Sequence, residues 1–173
     1  MKKTYFVLAL MIASMLSVQA QNLTKTAWTT MVPGDQELEM VLNFEEDGEC
    51  YIILTIEEFQ ELEEGMNMII RSSLAVPGIY DQDERDITLS FNKKKSEFSY
   101  DIDITGADSQ AKSLFKSMIE PELKKLEPEM KEQMLLLVPP IMNDMKVISV
   151  SKNKLILRDS TGEELTFYPA AKG

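Results

Sequence analysis

The sequence contains no histidine and one cysteine among its 173 residues. Without histidine the chain lacks the commonest metal ligand and the commonest general base at neutral pH, so serine-type and zinc-type catalytic sites lose their usual parts. The lone Cys50 excludes a disulfide within the chain. Because no catalytic motif replaces these groups, we predict a protein that is not an enzyme, binds no metal and needs no cofactor.

Positive charge is also scarce. The chain has 18 lysine and arginine residues against 29 acidic residues, which gives a net charge of −11 at pH 7. So acidic a protein repels nucleic acid and anionic lipid surfaces. We therefore expect neither as a partner.

Long apolar runs are absent after the N-terminus. The apolar residues 5–16 follow Lys2 and Lys3 and precede a small-residue cleavage motif that ends at Ala20. This order predicts a signal peptide over residues 1–20. No cysteine follows the cleavage motif for lipid attachment, and no second run is long enough to span a bilayer. We predict a periplasmic or secreted protein without stable membrane insertion, with residues 21–173 as one domain.

Two alternating segments, residues 38–44 and 50–56, predict a hairpin of half-buried strands. A two-residue Asp-Gly turn would pair Phe44 with Tyr51. A three-residue turn with Gly48 in the left-handed conformation would pair Phe44 with Cys50 and place four apolar pairs on one face. Because a slip of one residue would move this face to solvent, we predict the three-residue turn, with Cys50 inward.

The C-terminal part of the chain shows the same arrangement, with Gly162 as the last residue of a three-residue turn. A two-residue turn at residues 152–153 precedes it, so three strands form a meander. The predicted pairs are Leu157 with Leu165, Leu155 with Phe167, Val150 with Leu155, and Ile148 with Leu157.

Further alternating or β-rich segments predict strands at residues 26–31, 66–72, 78–81, 87–91 and 98–104. Three lysines at 93–95 mark a turn, and the acidic residues 57–64 lack calcium-loop spacing and predict a solvated turn. About ten short strands with tight turns favour a mainly β fold, an antiparallel up-and-down barrel or half-barrel.

Residues 108–138 break this pattern and predict an amphipathic helical segment with Asp108 as its N-cap. Pro121 and Pro128 predict a division into two or three short helices. The apolar stripe has two interpretations, a flexible lid over a ligand pocket or a face that completes the core. Its members are Phe115, Ile119, Leu123, Leu126, Met130, Met134 and Leu137.

The order of several short motifs resembles that of small secreted bacterial lipocalin-like (calycin) domains. An early Trp28 is followed by the Phe44–Gly48 hairpin motif FEEDG, then by Gly78-Ile79-Tyr80, and finally by an L-x-L hairpin at residues 154–168 that ends in aromatic residues. The resemblance covers most of residues 21–173 except the helical segment. It implies a β-barrel able to hold a small apolar molecule.

Two functions follow as hypotheses. The first is an exported binding protein that holds a small apolar ligand between the barrel and a helical lid. The second is a protein-interaction module that docks its apolar helical segment, or residues 135–142, on another envelope protein. Core packing is the competing interpretation of Trp28 and Cys50. The ligand-binding candidates are Trp28, Phe44, Cys50, Leu54, Phe115, Met118, Met130 and Met134.

Overall fold

The structure, a computed structural model, describes residues 23–24, 26–32, 38–63, 65–83, 86–138 and 145–170. The predicted signal peptide at residues 1–20 lies outside them. Within the described residues the chain forms nine strands, a short 3-10 turn and a long helix. These are β1 (Trp28–Val32), β2 (Leu38–Phe44), β3 (Glu49–Glu63), β4 (Met66–Asp83), β5 (Asp86–Phe91), the lysine turn (Lys93–Lys95), β6 (Glu97–Thr105), α1 (Ser109–Leu137), β7 (Met145–Val150), β8 (Leu155–Arg158) and β9 (Glu164–Pro169).

Eight of the strands form a closed antiparallel barrel in the order β1-β2-β3-β4-β5-β7-β8-β9. The barrel closes where β9 returns to β1, with Trp28 opposite Pro169 and Thr29 opposite Tyr168. The prediction of a mainly β, antiparallel barrel with one helical segment is confirmed. Such an architecture is consistent with a lipocalin-like fold.

The predicted turn registers are confirmed at both hairpins. Phe44 lies opposite Cys50, and Leu157 lies opposite Leu165. Gly48 has φ 86° and Gly162 has φ 93°, a left-handed conformation that glycine adopts without a steric penalty. The pairing of Val150 with Leu155 is also confirmed, but Ile148 does not face Leu157. A bulge between Val147 and Ser149 shifts the register, so Val147 takes the inward position.

Strand β4 is longer than the sequence indicated. The two segments predicted at 66–72 and 78–81 are parts of one 18-residue strand. Pro77 lies inside it, at a place where the edge partner changes from β6 to β5 and one backbone donor can be missing. The lysine turn therefore does not join a hairpin, because β5 and β6 both pair with β4, one after the other along the same edge.

A three-stranded sheet extension projects beyond the barrel. It consists of residues 57–63 of β3, residues 66–75 of β4, and β6. The prediction of a solvated turn over residues 57–64 was wrong for residues 57–63, which are strand. Within this extension, the guanidinium of Arg71 on β4 lies 2.5 Å from the carboxylate of Glu57 on β3.

Inward-facing side chains fill the barrel. Every second residue of strand β3 points inward, as Cys50, Ile52 and Leu54 do, and the last two have no solvent exposure. Trp28 is also completely buried, and its indole Nε1 donates a hydrogen bond to the carbonyl oxygen of Leu23 at 3.1 Å. Other fully buried large side chains come from several strands of the barrel: Met40, Leu42, Phe44, Leu74, Ile87, Leu89 and Phe167.

Helix α1 runs without a break through Pro121 and Pro128, so the prediction of two or three short helices was wrong. The N-cap at Asp108 is confirmed, because its Oδ1 accepts hydrogen bonds from the backbone of Gln110 and Ala111 at 3.0 and 2.8 Å. The helix packs along the sheet extension, where Leu123 joins Ile102 and Ile104 in a second core. This packing outweighs the missing proline donors, since helices in proteins depend mainly on tertiary contacts.

Contacts from the lysine turn hold the second half of α1. Lys93 Nζ donates a hydrogen bond to the carbonyl oxygen of Leu135 at 3.1 Å. The ammonium of Lys131 reaches back to the carbonyl oxygen of Ser96 at 2.5 Å. Because the last turn of α1 has no basic residue of its own, Lys93 supplies the positive charge that favours a helix C-terminus. Within the described residues, no helix is both long and apolar enough to cross a bilayer.

Truncation of the barrel core should destabilise the protein strongly. Leu54 is completely buried, so Leu54→Ala leaves a cavity and should lower the free energy of unfolding by about 2–5 kcal/mol. Phe59 lies on the same strand but is 68% exposed, and Phe59→Ala should cost less than about 1 kcal/mol. Chemical denaturation measures both. Equal costs for the two variants would contradict a filled barrel.

Removal of a helix proline should stabilise the protein. Pro128 withholds a hydrogen bond from the preceding turn, and Pro128→Ala restores it for a net gain of about 1–2 kcal/mol after the greater entropy of the unfolded chain is deducted. Lys124→Ala, at an exposed position one turn away, should change stability by less than about 0.5 kcal/mol. Denaturant unfolding provides the comparison, and a destabilised Pro128→Ala protein would contradict the expected gain.

Candidate ligand-binding groove

The four candidate residues from the barrel strands lie in the packed core. Trp28, Phe44 and Leu54 have no solvent exposure, and Cys50 is 2% exposed. All four belong to one cluster of buried side chains. The Phe44 ring also makes an edge-on contact with the ring of Tyr80, with 5.1 Å between ring centroids. These side chains fill the space that an open barrel would offer to a ligand.

The four candidates on α1 are divided among three environments. Met134 is buried in the same cluster as the barrel residues. Phe115 and Met130 pack against the second core, on the sheet extension. Met118 is 63% exposed. The structure thus brings Met134 together with the barrel candidates, and it does not bring all eight residues to one site.

A small cavity does lie between α1 and the sheet. Its volume is about 100 Å³, and Ile56, Ser72, Met130 and Met134 contribute to its wall. Glu58, Gln133 and Leu137 complete the described lining. A water molecule takes about 30 Å³ in the liquid, so this cavity has room for a few waters. It is smaller than the sites that hold drug-sized molecules, which occupy roughly 300–1,000 Å³.

A much larger groove opens on another part of the barrel, where β5 ends and the lysine turn interrupts the edge of β4. Its volume is about 930 Å³. We call the larger apolar side chains of its lining, Tyr51, Pro77, Ile79 and Phe91, the floor of the groove; Ile79 is 64% exposed. Tyr51 lies opposite Pro77 on β3 and β4, so the floor is set by the strand register.

Gly78 determines how closely the strands approach beneath the groove. It lies opposite Cys50 on β3 and Phe91 on β5. A Cβ atom at this position would lie 2.6 Å from the backbone oxygen of Ser90 and 2.9 Å from Cδ1 of Phe91. Glycine is therefore required for β5 to lie against β4 here. A larger residue would push Phe91 and the start of the lysine turn away from β4.

The two rims of the groove carry opposite charge. Lys94 and Lys95 belong to the basic rim, and Glu45 and Glu49 belong to the acidic rim. The backbone of the basic rim is held by Asn92, the residue before the lysine turn. The Asn92 side chain accepts a hydrogen bond from Lys94 N at 3.2 Å. Apolar floor and charged rims together make a surface suited to an amphiphilic molecule.

The acidic rim is held in place by the neighbouring strand. Tyr80 donates its hydroxyl to the carbonyl oxygen of Glu45 and its backbone N–H to the carbonyl oxygen of Gly48, each at 2.8 Å. Asn43 donates to Tyr51 Oη at 2.5 Å and to Glu45 Oε1 at 3.0 Å. Because the Tyr51 oxygen accepts that bond, its own hydroxyl hydrogen can be donated to a bound molecule.

Cys50 contributes to the wall of the groove, but its thiol is not a reactive nucleophile. Burial raises the pKa of its thiol to about 12. The thiolate is the nucleophile, so the group remains protonated and unreactive at neutral pH. The described residues also contain no group of three or more histidine, cysteine, aspartate or glutamate side chains placed to hold a metal ion.

Comparison with known proteins adds no functional assignment: the chain matches no protein-family model, and no curated protein matches it significantly. The protein class that the structure itself defines is an eight-stranded antiparallel barrel with one helix. Of the eight ligand-binding candidates predicted from the sequence, Cys50 alone belongs to the described lining of the groove, so the groove as a whole was not predicted. Its signals were the Pro77-Gly78 pair inside a strand, which indicates a close backbone approach, and the three consecutive lysines.

The buried thiol leads to a direct prediction. Alkylation of Cys50 in the native protein at about pH 8 should be at least about 100-fold slower than in the denatured chain, because little thiolate is present in the folded state. Folding raises the pKa of this thiol above its unfolded value of about 9.0. The free energy of unfolding should therefore fall as the pH rises above about 9.0, because the unfolded chain then loses the thiol proton and the folded chain keeps it. Mass spectrometry of iodoacetamide-treated protein measures the rates. Rapid native alkylation would show that Cys50 is exposed.

Proposed function

We propose that this protein is an exported, lipocalin-like binding protein for a small, mainly apolar molecule, and that the groove is its binding site. The observation that carries the proposal is the groove of about 930 Å³ with an apolar floor. This volume falls in the range of known small-molecule sites. Exposed apolar side chains such as Ile79 gain free energy when a ligand removes them from water.

The position of the ligand follows from what the barrel core allows. The interior is occupied by side chains, and the described cavity beneath α1 holds about 100 Å³. A ligand between barrel and helix would have to displace Met130 or Met134, whereas the groove accepts one without repacking the core. The helix then has the role of covering the sheet extension and closing the core through Met134.

Binding without catalysis is the chemistry that the residues favour. The sequence has no histidine, and the one thiol has a pKa raised to about 12. The described lining of the groove therefore offers neither an imidazole base nor an activated thiol. Export is supported by the predicted signal peptide, and it places the protein where it meets molecules of the envelope or the medium.

A second candidate function is a protein-interaction module of the cell envelope that uses α1. The specific observation in its favour is the exposure of Leu114 and Met118, which lie one turn apart on the helix, and of Leu136, which is 78% exposed. Apolar patches of this kind mark interaction sites when they are contiguous. In a pull-down from envelope extract, an envelope protein that binds the wild type but neither the Leu114→Ser nor the Met118→Ser variant would favour this function.

The main test is the analysis of co-purified molecules. Protein isolated from its native cells is extracted with organic solvent, and the extract is examined by mass spectrometry. We expect a small amphiphile in stoichiometric amount from the wild type and its loss from Ile79→Asp, which places a charge on the groove floor. Phe59→Asp is the matched control, because Phe59 is similarly exposed but distant along β3. An empty wild-type extract, together with failure to bind added amphiphiles, would overturn the proposal.

A further inference from the structure

The charge of the groove indicates what kind of molecule it holds. The protein has a net charge of −11, yet three of its 18 basic residues are consecutive and lie at the groove. We propose that the ligand is an amphiphilic monoanion, whose negative group pairs with Lys94 and Lys95 while its apolar body covers the floor beside Ile79. This inference rests on the proposed function and specifies the ligand class.

The lysine turn is built to hold two of its ammonium groups available. Lys93 is occupied by α1, because its Nζ donates to the carbonyl oxygen of Leu135. Lys94 and Lys95 make no side-chain hydrogen bond or ion pair with the described residues and remain exposed. Hydrogen bonds hold the turn at both of its ends: Lys95 N donates to Asn92 O at 3.0 Å, and Ser96 Oγ donates to Lys93 O at 2.8 Å. Two unpaired cations on an ordered turn suit a carboxylate, sulfate or sulfonate group.

The acidic rim explains why a single negative charge is favoured. Glu45 and Glu49 stand at the groove as well, so a second anionic group at that rim would be repelled. A neutral or donor group is favoured there instead. The long-range field of the acidic protein also repels anions. The local attraction of Lys94 and Lys95 must therefore exceed this repulsion for a monoanion to bind better than a neutral molecule of the same shape.

Two fluorescent probes with one ring skeleton test the inference. Anilinonaphthalenesulfonate carries one sulfonate, and N-phenylnaphthylamine is its neutral counterpart. We expect the wild type to bind the anionic probe more tightly, and high salt to reduce this advantage. The double variant Lys94→Gln/Lys95→Gln should bind the anionic probe about tenfold more weakly, as expected for the loss of two exposed charge pairs, and the neutral probe with less than about a twofold change. Ile79→Asp should weaken both probes.

The control is Lys152→Gln/Lys154→Gln, which removes two exposed lysines at the β7–β8 turn and should leave both affinities unchanged. Thermal unfolding verifies that all variants are folded. Equal affinity of the wild type for the two probes, or equal losses in the two lysine double variants, would overturn the monoanion inference and leave the proposed binding function standing. If neither probe binds, the proposed function itself fails. A dimer that Ile79→Asp dissociates would show that a second copy of the chain occupies the groove, and would overturn the inference.

Discussion

The filled interior of the barrel is the constraint on which the rest of the molecule depends. Each strand alternates its side chains, so the apolar rows that meet inside are set by register alone. Gly48 and Gly162 hold two of these registers through left-handed turns. Once the rows interlock around Trp28 and Leu54, the barrel interior is a core. A binding site must then be formed at the strand ends or on the outer surface.

Strand β4 connects this core to both specialised parts of the surface. Along one edge it pairs first with β6 and then with β5, and the change of partner occurs close to Pro77 and Gly78. The lysine turn occupies the gap between the two partners. On one side it borders the groove, and on the other side Lys93 reaches the end of α1. The helix and the groove are thereby held by the same short segment of chain.

Local patterns predicted the parts of the fold that local chemistry controls. The two glycine turns, the apolar pairs they align and the N-cap at Asp108 could be derived from residues close in sequence. The continuity of α1 and of β4 could not be derived in this way. Pro121 and Pro128 indicate helix breaks, and Pro77 indicates a strand end, until neighbouring elements provide enough packing to carry the chain through them. The bulge at Ile148 was missed for the same reason, because its register depends on β8 as well as on its own alternation.

By itself, the sequence determined the mainly β class, the antiparallel hairpins, the acidic surface and the absence of histidine chemistry, since all of these follow from composition and periodicity. Only the tertiary structure decided that the barrel interior is full, that Met118 faces solvent while Met134 is buried, and that Tyr51, Ile79 and the lysine turn share one groove. These facts depend on which strands become neighbours around the barrel. Strands far apart in sequence become neighbours because of the combined packing of the whole core. A pattern within a short stretch of sequence does not contain that information.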